Sequence, residues 1–232
     1  MPIIEEDEPM LKITFLGHAC FLLDDGETKV LTDPYLSGNP LAAVSADEVE
    51  ADYIFVSHGH GDHVGDTAGI AARCGAAIGG PVEITGALFG KQGLETIPGN
   101  IGGLTELPFG SVKLVPAIHG SGVPGALACG FVFEIGGKKV YFAGDTALTK
   151  DMELLEYDMI DAALLPIGDV YTMGPEDAAR AAWMIRPRLV IPMHYGTFPI
   201  IEQTADRFVD YMQSLAAGIP VKVLDPGESI VL

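Results

Sequence analysis

The segment Ser57-His58-Gly59-His60-Gly61-Asp62-His63 places three imidazoles and a carboxylate within six residues at the end of the apolar stretch Tyr53–Ser57. No other feature constrains the fold as much, because a strand that ends in such a run must deliver it to a place where polar side chains gather. In an extended or turning loop, His58 and His60 can face one side as a chelating pair, while Asp62 and His63 turn toward an adjacent point. Gly59 and Gly61 give the backbone freedom to do so. The competing reading is a solvated polar loop. Composition argues against it, since the chain holds only six histidines in 232 residues and three of them fall here.

The other candidates also sit at strand ends. His119 follows the strand Lys113–Pro116 and precedes Gly120-Ser121-Gly122, Asp145 follows Lys139–Ala143, and His194 follows Leu189–Pro192. Side chains that leave the ends of several strands converge on one edge of a sheet, where α/β architectures place their sites. Each of the three alone could be structural; beside the motif they extend a set of metal ligands. His18 has two readings, a hydrogen-bond donor near the site or a satisfied core histidine. Asp33 has a simpler one in its own right, as a turn residue before Pro34.

Around these residues the pattern alternates. Leu11–Leu16, Cys20–Asp24 and Thr28–Thr32 read as strands with Asp25-Gly26 as a hairpin turn. Tyr53–Ser57 then leads through the glycine-rich loop to a helix over Asp66–Arg73. A helix over Val82–Gly90 follows, then strands Lys113–Pro116, Gly130–Ile135, Lys139–Ala143 and Ala162–Leu165. Next come a helix Pro175–Ile185, strand Leu189–Pro192, helix Ile201–Ala216 and strands Val221–Leu224 and Ser229–Leu232. Hairpins mixed with helices point to an α/β layered fold with mixed sheets, two of them flanked by helices. No linker, repeat or charge block beyond Glu5–Glu8 marks a boundary, so residues 1–232 are expected to form a single domain. Trp183 and Phe198 are expected in the core.

Thirty-two acidic residues against thirteen basic ones give a net charge of −19, a field that repels nucleic acid and anionic membranes. There is no run of ~20 apolar residues to span a bilayer, and the acidic start is unlike a signal peptide. Cys20, Cys74 and Cys129 are odd in number and in no CxxC spacing, which fits reduced thiols in the cytoplasm. The expected partner is a small-molecule substrate, with no nucleic acid and no membrane insertion; a homo-oligomer is compatible.

The order His58, His60, Asp62, His63, then His119, Asp145 and His194 resembles the metallo-β-lactamase superfamily over essentially the whole chain. That resemblance implies a four-layer αββα sandwich. It also implies a first metal on His58, His60 and His119, a second on Asp62, His63 and His194, with Asp145 bridging, and Asp33 behind the motif orienting it by hydrogen bonds. Gly17-His18-Ala19, Leu31-Thr32-Asp33-Pro34 and Pro192-Met193-His194-Tyr195-Gly196-Thr197-Phe198 are similar to small stand-alone hydrolases related to ascorbate-6-phosphate lactonases and N-acyl-phosphatidylethanolamine phospholipases D. The expectation is therefore a hydrolase with two divalent ions, zinc first and manganese or iron also compatible with the N/O donor set. A bridging hydroxide would cleave a phosphodiester or lactone, with Asp62 as ligand and proton acceptor. Three alternatives differ in class. A nuclease acting on RNA or nucleotides would need basic surface, and a non-catalytic metal-binding protein would need a lost ligand. A flavodiiron-type reductase would need a carboxylate in place of a motif histidine and room for a flavin domain.

Overall fold

The computed structural model describes residues 10–232, so the acidic Glu5–Glu8 run lies outside the described residues. The chain begins with an antiparallel meander, β1 (Lys12–Gly17), β2 (Cys20–Asp24) and β3 (Lys29–Thr32). It continues through β4 (Tyr53–Phe55), the helical turn α1 (Gly61–Val64), α2 (Thr67–Cys74), β5 (Ala77–Pro81), α3 (Val82–Leu88) and β6 (Thr96–Gly99). A second meander follows, β7 (Leu104–Leu107), β8 (Gly110–Pro116), β9 (Cys129–Ile135) and β10 (Lys138–Phe142). The rest comprises β11 (Ala162–Pro166), α4 (Pro175–Ile185), β12 (Val190–Met193), α5 (Asp206–Leu215) and β13 (Ser229–Val231). The seven-stranded sheet runs β13-β1-β2-β3-β4-β5-β6, and the six-stranded sheet runs β12-β11-β10-β9-β8-β7. Both are mixed. In each, a hairpin-built antiparallel half is joined to a parallel half made by crossovers.

Period-2 alternation sorts the side chains into two cores. Phe55 on β4 points between the sheets, where its ring meets Phe131 and Phe133 of β9 at centroid distances of 5.3 and 5.2 Å. Its neighbour Ile54 points the other way, into the apolar layer shared with Ile70 of α2 and Ile84 of α3. Helices α4 and α5 cover the outer face of the second sheet through Ala178, Ala182, Ile185, Phe208 and Met212. The order of layers is helix, sheet, sheet, helix, as expected.

Several elements differ from the sequence reading. β5, β6 and β7 were not expected, because their glycines, prolines and exposed positions mask a strand pattern. Gly79 of β5 is there for a steric reason: a Cβ at this position would lie 2.2 Å from the Phe55 ring. A 3-10 helix over Lys150–Asp158 was likewise missed. The helix expected over Ile201–Ala216 starts only at Asp206, since Glu202 is tied by backbone hydrogen bonds to Gly168 and Gly196 at 2.8 Å. Val221–Leu224 contributes only a single bridge to Val190. Trp183 is 50% exposed rather than in the core, because the inward stripe of α4 is built from Ala178, Ala181, Ala182 and Ile185. The Arg186 guanidinium sits 5.9 Å from the Trp183 ring centroid instead.

The Phe55 ring is the main apolar link between the sheets at β4. Phe55→Ala should lower unfolding stability by about 3–5 kcal/mol, the range for deleting a buried aromatic side chain. Denaturant titration measures this, and a loss under about 1 kcal/mol would show that the two sheets close up around the gap.

Candidate metal centre

Strand parity explains why distant residues meet. β1, β3 and β4 are co-oriented in the first sheet, and β8, β10 and β12 in the second. His18 leaves β1, Asp33 leaves β3 and the His58–His63 motif follows β4, while His119, Asp145 and His194 come after β8, β10 and β12. All six histidines of the chain therefore gather at one rim of the sandwich. Three residues there, His18, Asp33 and His194, have φ of 59°, 34° and 60°, a left-handed conformation that is costly outside glycine and that clusters at functional sites. Close packing at His194 is also fixed by Gly168, where a Cβ would come within 2.3 Å of the His194 carbonyl oxygen.

Asp145 Oδ2 is the centre of the cluster. It lies 3.2 Å from His63 Nε2 and His194 Nε2, 3.5 Å from His119 Nε2 and 3.9 Å from His58 Nε2. On one side His60 Nδ1 is 2.9 Å from His58 Nε2 and 3.3 Å from His119 Nε2. On the other, Asp62 Oδ2 is 4.0 Å from both His63 Nε2 and His194 Nε2. Donor atoms spaced this way bracket the ~3.3 Å edge of a tetrahedron with ~2.0 Å bonds. The sequence reading placed Asp62 and His63 in a loop; they lie on the single helical turn α1, which sends His63 inward and Asp62 toward the mouth.

Asp33 sets the tautomers. Its Oδ1 accepts the Ser57 backbone N–H at 2.8 Å, and its Oδ2 accepts the Ser57 hydroxyl at 2.6 Å and His63 Nδ1–H at 2.7 Å. With its proton committed to Asp33, the Ser57 Oγ is left to accept His58 Nδ1–H at 3.0 Å. One buried carboxylate thus turns the Nε2 atoms of both rings toward the cluster. His18 is arranged in the same way: Thr197 Oγ1 meets its Nδ1 at 2.7 Å and its Nε2 meets Asp62 Oδ2 at 3.3 Å. Because an ionised Asp62 only accepts, His18 donates from Nε2 and takes the Thr197 proton at Nδ1.

Burial lowers the His18 pKa to about 4, that of His58 to about 2, and that of His119 in the same direction, so these rings are neutral at ordinary pH. Burial acts on His63 in the same sense, but the carboxylates of Asp145 and Asp33 outweigh it and push its pKa well above the usual value. Burial opposes ionisation of Asp62 and Asp145 too. The His18 hydrogen bond and the neighbouring His63 hold Asp62 below the usual carboxylate range, and His63 with His194 hold Asp145 well below it.

Above the cluster opens a pocket of about 740 Å³. His60, Asp62, His119, Asp145 and His194 form its floor, and Tyr35, Tyr171, Phe198, Pro199 and Ile200 its walls. Phe198 therefore borders the pocket rather than the core: its ring stands edge-on to His18 at 5.5 Å and parallel to Tyr35 at 6.4 Å. Ser57, Thr197 and the wall residues other than Phe198 were not assigned roles from sequence. Only Ser57, adjacent to the motif, and Thr197, three residues after His194, carried a local signal.

Residues 12–194 match the β-lactamase superfamily domain. A UPF0173 metal-dependent hydrolase of Heliobacterium modesticaldum is 48% identical over 96% of this chain and 98% of its own length. Another from Symbiobacterium thermophilum is 48% identical over 96% of this chain and all of its own. Among solved structures, the metallo hydrolase Igni18 of Ignicoccus hospitalis superposes with a TM-score of 0.89 at 33% identity, covering 96% of this chain and 98% of that one. The chain belongs to the metallo-β-lactamase superfamily, in its UPF0173 branch of metal-dependent hydrolases.

Asp33→Asn would set an amide N–H against two donors at full burial. It should cost roughly 1–3 kcal/mol for each group left without a partner. Thermal denaturation checks this, and an unchanged transition would mean that the rings are held in place without the carboxylate.

Proposed function

We propose that the chain hydrolyses an ester-type bond, a lactone or phosphodiester, in a small molecule at a dinuclear metal centre. The observation that carries this reading is the convergence of buried donor atoms without hydrogen-bond partners: His63 Nε2, His194 Nε2 and Asp145 Oδ1. Burying such groups unpaired is expensive, and cations at their focus would compensate them. His58, His60 and His119 would hold one ion, Asp62, His63 and His194 the other, and Asp145 would lie between. The donors are nitrogen and oxygen with no thiolate, a set that suits zinc first and manganese or iron as well. When bound, such a pair supplies a water of lowered pKa and polarises the carbonyl or phosphoryl oxygen.

The chain's own groups supply the rest. Asp62 lines the pocket mouth, and His18 binds only its Oδ2, which keeps the carboxylate charged and aimed so that it can take the proton released as water adds. His119 and His194 close the floor, and the aromatic walls stand beside it, so that a substrate filling the pocket would displace water from the reacting bond. A pocket of about 740 Å³ in a chain of net charge −19 favours a small molecule over RNA. The three cysteines are free, with Cys20 and Cys129 buried, which supports placement in the reducing cytoplasm.

Purified protein should carry close to two transition-metal ions per chain by elemental analysis. A value near zero in protein never exposed to chelator would overturn the reading. Asp62→Asn keeps one oxygen ligand and removes the charge, so kcat should fall by about 10²-fold or more with both metals retained. Full activity at full metal occupancy would remove Asp62 as proton acceptor.

A further inference from the structure

Resting on that hydrolytic reading, we infer that the substrate is an uncharged carboxylic ester or lactone bearing an apolar chain or ring, and that the site recognises this apolar part in preference to a phosphodiester. Among the described residues, the pocket lining includes no lysine and no arginine. Proteins that select phosphate esters hold the non-bridging oxygens with arginine forks or lysine ammonium groups. Among the described residues, the charged side chains at the pocket, apart from the histidines, are the carboxylates of Asp62 and Asp145. A second anion beyond the reacting centre would meet no counter-charge from the chain.

The walls offer apolar surface instead. Tyr171 and Ile200 are 56% and 60% exposed, and Val170 beside Tyr171 is 58% exposed. Single exposed apolar residues are ordinary, but Tyr171 and Ile200 converge with Phe198, Pro199 and Tyr35 on one concavity above the donor cluster. That wall is built in rather than loosely draped. Thr197, which bonds His18, is followed directly by Phe198, Pro199 and Ile200, so the same segment orients Asp62 through His18 and forms the wall. The second wall loop holds Asp169 and Val170 at φ of 60° and 54°, a strained conformation for a β-branched residue. The Glu202 N–H donates to the Gly168 carbonyl, and the Gly196 N–H donates to the Glu202 carbonyl, both at 2.8 Å, which locks the two wall loops together. In the reaction the water oxygen bonds to the acyl carbon and the acyl C–O bond breaks. The leaving oxygen takes one proton, and the carboxylic acid formed loses its own to solvent. No other reactant is needed.

The test uses the full chain as purified, its metal content measured, and three probes, acetamide, hexanamide and diethyl phosphate, with binding followed by calorimetry and each probe checked for turnover. Alongside, kcat/KM is compared for p-nitrophenyl acetate and p-nitrophenyl hexanoate. Each buried methylene is worth about threefold to fourfold in affinity, so hexanamide should bind at least about tenfold more tightly than acetamide and more tightly than diethyl phosphate. The hexanoate ester should lead the acetate ester by a similar factor. Ile200→Asp, at an exposed position where folding is not at risk, should cut the chain-length ratio at least threefold; Tyr171→Asp, on the second wall loop, should do the same. A ratio under about twofold, or diethyl phosphate as the tightest probe, would overturn the inference. Chain-length preference without bound metal would sink the dinuclear reading while leaving the apolar recognition intact. Two bound metals with diethyl phosphate preferred would do the reverse.

Discussion

The carboxylate of Asp33 is where fold and chemistry meet. It is fully buried between the end of β3 and the beginning of the motif, and its backbone N–H donates to the Phe55 carbonyl at 3.0 Å, so the residue also splices β3 to β4. A carboxylate cannot be held there unless its oxygens are filled, and the three donors that fill them are the Ser57 backbone, the Ser57 hydroxyl and His63 Nδ1. The cost of burial thus becomes orientation. Each imidazole has two nitrogens, and committing Nδ1 of His63 directly, and of His58 through Ser57, leaves both Nε2 atoms no alternative to the central cluster.

Sandwich topology then brings the remaining donor side chains to the same rim. Because each sheet joins an antiparallel half to a parallel half, alternate strands of the first half and successive strands of the second share a direction, and six of these co-oriented ends, after β1, β3, β4, β8, β10 and β12, carry the residues of the cluster. Side chains that leave two different sheets can face each other only if the sheets are held at a fixed separation, and the Phe55, Phe131 and Phe133 rings set it just below the site. The left-handed backbone at His18, Asp33 and His194 marks where the chain turns sharply off a strand to aim a side chain across the gap. Strain is tolerated there because packing around it is rigid.

Sequence made the centre of this arrangement readable and its surroundings much less so. His58, His60, Asp62 and His63 are legible because rare residue types at short spacing have few other uses, and His119, Asp145 and His194 because they close clear apolar strands. The contact of His18 with Asp62 and Thr197 joins residues 44 and 179 positions apart, which no local pattern reports. β5 was hidden because Gly79 and Gly80 lower strand propensity, although Gly79 is required by the aromatic ring above it. Trp183 and Phe198 were misread for a shared reason: large aromatic size suggests burial, but which face a helix presents and where a loop folds back are decided by tertiary packing.

An electrostatic paradox is resolved by the same geometry. A chain of net charge −19 is a poor environment in which to build negative charge on a substrate oxygen, and Asp33, Asp62 and Asp145 bring three of those charges into or against the site itself. With two divalent ions in the proposed positions, however, these three carboxylates leave one net positive charge at the floor of the pocket. It acts at short range, with little solvent between, whereas the surface carboxylates are screened beyond about 10 Å. With the ions bound, the local field would favour an oxygen that becomes negative as bond breaking proceeds, while the distant field and the uncharged walls disfavour the approach of molecules that arrive already charged. That difference between ground state and transition state is what a hydrolytic site requires.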